Sequence, residues 1–173
     1  LDQAGFVSFT YREQTRDLFL KPGDNLKMKF NEAEVVKSVS FSGTAAIENQ
    51  FVLGFMNKFS QHFDREALLD TMPYLSVDGL EIMLYDQMSA HAKYFEESPV
   101  SKHFSSQFQH YLKNLSEYHY NDGILAYATE NDAGKRGETI KKLPGLMTEN
   151  FAQLANKDEA LLVAPYRHFV LNY

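Results

Sequence analysis

Cysteine and tryptophan are both absent from this chain of 173 residues. Without a thiol, the chain itself can form no disulfide, no thiolate metal site and no cysteine nucleophile. The compartment stays open, because a chain of this length buries roughly 70 % of its unfolded surface and needs no covalent staple. No apolar run reaches the length of a bilayer span, so no transmembrane segment is expected. Lysine and arginine form no long run and the formal net charge is −6, which repels a polyanion and argues against nucleic acid as a partner. GxGxxG, GxxxxGK[ST], GxSxG and HExxH are all missing, which leaves phosphate loops, nucleophile elbows and zinc-protease helices without support. The chain opens on Leu1 with no visible signal peptide and closes at Tyr173 inside an apolar segment. The expectation is a piece cut from a longer protein.

What is plentiful is the aromatic side chain, with Phe 14 and Tyr 10. They organise around residues 38–63, where the apolar period changes. Val39 and Phe41 alternate with Ser38, Ser40 and Ser42, the repeat of a half-buried strand. Gly43 interrupts it. Ile47, Phe51, Phe55, Phe59 and Phe63 then recur every fourth position, predicting an apolar helical stripe with Val52 and Met56 beside it. Ser42 or Thr44 can cap its first turn.

Before this junction the chain reads as β. Phe6–Tyr11 and Arg16–Leu20 are two predicted strands, Lys21-Pro22-Gly23-Asp24 is a turn, and Leu26, Met28 and Phe30 alternate with lysines in a third strand. Four short strands suit one small antiparallel sheet, or the remnant of a sandwich. After the junction the chain reads as helical. Asp64 caps a helix over Arg65–Met72 that Pro73 ends, and Ser76 caps another over Val77–Glu96 with Leu80, Leu84, Met88 and Ala92 inward. Ser98-Pro99 starts a helix that breaks near Asn121-Asp122-Gly123 and resumes over Ile124–Ala128. Asn31–Lys37 is a connector and Asn131–Lys142 a polar loop. Leu146–Ala155 and Glu159–Tyr173 are the last helices, with Pro165 starting or kinking the final one. The fold class is therefore α+β: an antiparallel β segment over 1–43 and a helical domain over 44–173.

Few residues suggest chemistry. His103 and His110 lie seven apart on one predicted helix, roughly 10 Å along its axis and too far to share an ion. His119 and Asp122 lie three apart and could converge, but no third ligand is identifiable. Glu96-Glu97 and Asp158-Glu159 point apart as helix neighbours and read as solvated ends. Lys135-Arg136 and Lys141-Lys142, near Gly134 and Gly137, could take an anion but more simply solvate a loop. Asn114-Leu115-Ser116 fits a glycosylation sequon inside a predicted helix. No catalytic residue, cofactor or metal is assigned.

One pattern goes further. A strand, the Pro22-Gly23-Asp24 turn, a strand, then Phe41-Ser42-Gly43 with Glu48-Asn49 at a helix start resembles the N-terminal region of TlpA-type thiol-disulfide oxidoreductases of the Bacteroidetes. The closing Tyr166-Arg167-His168-Phe169 resembles that family's last helix before its thioredoxin-like domain. The family's Cys-x-x-Cys has no counterpart here, so no catalytic residue carries over. The resemblance implies a non-catalytic accessory or binding domain, periplasmic or attached to the cell envelope, whose partner is a downstream thioredoxin-like domain or a client protein. The alternative is a self-contained ligand-binding or hydrolytic helical protein. Tyr118, Tyr120 and Tyr127 form the candidate interaction surface, since tyrosine buries apolar area while keeping a polar edge; the alternative is that they complete the helical core with their hydroxyls at its edge.

Overall fold

The computed structural model of the protein describes residues 2–32, 38–130 and 143–173. It is α+β, with short antiparallel strands first and helices after them. Two compact units divide it. The first is Leu1–Lys58 with Ser98–Gln109, and the second is Phe59–Glu97 with His110–Tyr173. Whereas the sequence reading divides the chain at residue 43, residues as far as Lys58 group with the strands. The expected connector falls partly outside the described residues, and all of the expected polar loop does, with both of its basic pairs.

In the first unit, β1 (Gly5–Tyr11) pairs antiparallel with β2 (Gln14–Leu20), placing Phe6 opposite Phe19. The turn between them is Arg12-Glu13, where Arg12 takes φ 53. β3 (Leu26–Lys29) pairs with β4 (Ser40–Gly43), placing Met28 opposite Phe41. These are two separate two-stranded sheets rather than the single sheet expected. The reason lies at the end of β2. Asn49 occupies the place of a further strand there: its Oδ1 accepts from Phe19 N–H at 2.9 Å and its Nδ2 donates to Phe19 C=O at 2.8 Å. The following turn takes the next backbone groups, with Asp24 N–H donating to Lys21 C=O and Lys21 N–H donating to the Asp24 carboxylate. Gly43 has φ +106, and a Cβ there would lie 2.2 Å from Asn25 O, so only glycine ends β4 in this way.

α1 (Ala46–Phe59) buries Phe51, Leu53, Phe55 and Phe59. Its expected stripe frays at both ends: Ile47 is 43 % exposed and Phe63 lies beyond the helix, half-buried. In place of Ile47 the first turn buries Glu48 and Asn49. Glu48 Oε1 accepts from both the N–H and the hydroxyl of Ser105, and Oε2 accepts from Lys21 Nζ. Thr44 is taken up by the Asp24-Asn25 turn, accepting from Asn25 N–H at 2.8 Å. Phe108 completes this core, 5.0 Å from Phe19 and 6.1 Å from Phe51, with Phe104 4.9 Å from Phe51.

The second unit opens with a 3-10 turn (Ser60–Phe63), α2 (Arg65–Thr71) and α3 (Val77–Glu96). Asp64 and Ser76 cap these helices as expected, accepting from Ala67 and Gly79 N–H. Pro73 sits in a 3-10 turn between them. α4 (Ser106–Glu130) is one helix where the sequence predicts an earlier start and a break. Its start is set by Ser105, which Glu48 anchors and whose hydroxyl accepts from Phe108 N–H. Its centre stays helical because each would-be breaker has a helical role. Asn121 donates to Glu117 C=O one turn back, and Asp122 pairs with Arg65. At Gly123 an added Cβ would lie 2.7 Å from Leu84, so the glycine lets α3 and α4 approach closely. α5 (Gly145–Thr148), α6 (Phe151–Leu154) and α7 (Ala164–Asn172) follow, with Pro165 in the first turn of α7.

Candidate functional site

The second unit holds the main cluster of titratable side chains, three histidines brought together from distant positions. His62 comes from the 3-10 turn, His91 from α3 and His119 from α4. His91 is on the inner face because Leu80, Leu84 and His91 follow the true helical period. Counting by fours to Met88 and Ala92 drifts off that face by about 40° per step. Ala92 is accordingly exposed and His91 is 1 % exposed.

The rings are tied to one another. His62 Nδ1 lies 2.9 Å from His91 Nε2, and His91 Nδ1 lies 3.4 Å from the Ser116 hydroxyl. His119 Nε2 donates to Gln87 Oε1 at 2.6 Å. Phenylalanines wall the cluster: Phe63 stacks on His91 at 5.1 Å and lies 5.0 Å from His119, while Phe59 meets His91 edge-on at 4.9 Å. Burial pushes the His91 imidazole down to about 3, reinforced by His119 and His62. Burial, then His62, pushes His119 down to about 4, and burial lowers His62 as well. An imidazolium against an aromatic face gains about 0.5–2 kcal/mol. An uncompensated buried charge costs roughly 3–5 kcal/mol. Burial wins, and the rings are neutral at pH 7.

A second polar group lies further along α4. Asp122 Oδ2 accepts from Arg65 at 2.7 Å and lies 3.8 Å from His168 Nδ1 on α7. Its Oδ1 is buried without a hydrogen-bond partner. Burial raises the Asp122 pKa, against the lowering by Arg65 and His168. His119 and Asp122 thus turn to different partners instead of converging. Among the described residues, no group of three or more histidine, aspartate or glutamate side chains could hold a metal ion. His103 and His110 are exposed, as are Glu96-Glu97 and Asp158-Glu159, and Asn114 of the sequon is buried within α4.

The three tyrosines do not form one surface. Tyr118 is 0 % exposed: its ring lies 4.7 Å from Tyr166 and its hydroxyl donates to Leu154 C=O at 2.8 Å. It belongs to the core, the alternative reading of this tyrosine, and is not part of an interaction surface. The cause is helical geometry, since residues two apart lie about 200° apart around the axis. Tyr120 and Tyr127, seven apart, share the other side and are half-buried. Tyr127 donates to Leu75 C=O at 3.1 Å, and Tyr120 reaches Glu81 at 3.5 Å. The histidine cluster, by contrast, escapes motif reading because its members stand 29 and 28 positions apart. The available signal was His91 at Leu84 plus seven. No protein-family model, curated protein or solved structure matches the chain.

Proposed function

We propose that the chain is a non-catalytic accessory or binding domain of a cell-envelope thiol-disulfide oxidoreductase of the TlpA type. The Cys-x-x-Cys of that enzyme would stand in a thioredoxin-like domain outside this chain, which would dock with it or share its client. The observation that carries the reading is the resemblance in a chain without any thiol. The positions behind the resemblance have structural employment, which supports an accessory role. Asp24 closes a turn, Gly43 ends β4, and Glu48 and Asn49 fasten α1 to β2 and to Ser105.

A self-contained hydrolytic protein is the second reading, and one observation favours it: the line Ser116–His91–His62. Its geometry is poor for catalysis. The Ser116–His91 separation is 3.4 Å, and His91 is almost wholly buried. A ring held at about 3 is too weak a base at pH 7. The reading frame that continues past Tyr173 tests the proposal. A β-α-β pattern carrying Cys-x-x-Cys supports it, and a stop codon directly after Tyr173 overturns it.

A further inference from the structure

We propose that the His62–His91–His119 cluster is an acid-sensitive latch that holds the 3-10 turn, α3 and α4 of the second unit together at neutral pH and weakens progressively as the pH falls through the histidine range. The argument begins with proton positions. Between His62 Nδ1 and His91 Nε2, 2.9 Å apart, there is room for one hydrogen. While one ring donates and the other accepts, the contact attracts. When both rings are protonated, two N–H groups face each other and the contact repels. His119 adds a third like charge, its ring centroid 5.9 Å from that of His91.

The partners seen against the three rings are neutral: Gln87, Ser116, Phe59 and Phe63. The 3-10 turn contributes His62 with Phe63, and α3 contributes His91 and neutral Gln87, with Tyr94 against Phe59. From α4 come His119 and Ser116, while Asp122, further along α4, is paired with Arg65 of α2 and lies near His168 of α7. His62, half-buried, is the way in for the proton.

The sign follows from linkage. His91 and His119 bind protons less readily folded, at about 3 and about 4, than unfolded, near 6.5. The unfolded state therefore holds more protons throughout that window, and stability falls as the pH drops below 6.5. Asp122, raised by burial, acts with the opposite sign nearer the carboxylate range. The latch is independent of the accessory-domain reading.

Thermal unfolding of the full chain between pH 7.5 and 5.0, with imidazole NMR titration alongside, tests the latch. We expect Tm to fall by about 10 °C over that range. The His91 and His119 resonances should stay neutral while the chain is folded, and His91→Gln should at least halve the Tm change. The half-buried His62→Gln, which removes one lowered ring and its charge beside the other two, should lessen the Tm change if His91→Gln does not fold. Exposed His103→Gln should leave the profile unchanged. A Tm constant within about 2 °C, rings that titrate near 6.5 in the folded chain, or an acid response as steep in His62→Gln as in the parent would each overturn the latch.

Discussion

Phe55 is 3 % exposed and its ring centroid lies 6.1 Å from that of Phe51. Truncating it empties a filled place that neighbouring rings can only partly close. Phe55→Ala should cost about 3–5 kcal/mol in urea unfolding, and a loss under about 1 kcal/mol would mean the side chain is not held as described. Apolar positions of this kind were legible from spacing alone. Polar buried positions were not. Glu48, Asn49 and His91 are inside because each meets particular partners from elsewhere in the chain, and nothing local announces those partners. Tyr118 shows the converse, a residue type common at interfaces that is consumed by its own core.

Among the elements, those with side-chain caps were the most legible. Asp64 and Ser76 mark the starts of α2 and α3 because a cap is a local interaction, complete within four residues. α4 defeated local reading at both its start and its middle, since Ser105 and Gly123 take their roles from Glu48 and Leu84. Gly123→Ala weighs two effects against each other. Alanine improves helix propensity by about 1 kcal/mol, while overpacking against fully buried Leu84 costs about 1–3 kcal/mol. The net expectation is destabilisation by about 1 kcal/mol, measured by chemical denaturation. A gain in stability would mean Leu84 moves aside freely.

At the scale of the molecule, the absence of thiols sets a limit that no rearrangement can lift. The chain alone should give no turnover above background in an insulin-reduction assay, and measurable turnover would contradict that limit. The α+β class was legible because the apolar period changes once, near Gly43. The grouping of Ser98–Gln109 with residues as far as Lys58 was not, since it joins segments separated by a whole run of helices. One small feature has reach at this scale. By holding both backbone groups of Phe19, Asn49 makes strand alignment depend on a residue 30 positions away. A slip of β2 by one place would offer Leu18 or Leu20 to that amide and turn Phe19 outward. An isolated two-stranded hairpin is only marginally stable and could sample such slips. Asn49 thus works as a proofreader: α1 can dock in full only on a hairpin that has already found its proper alignment.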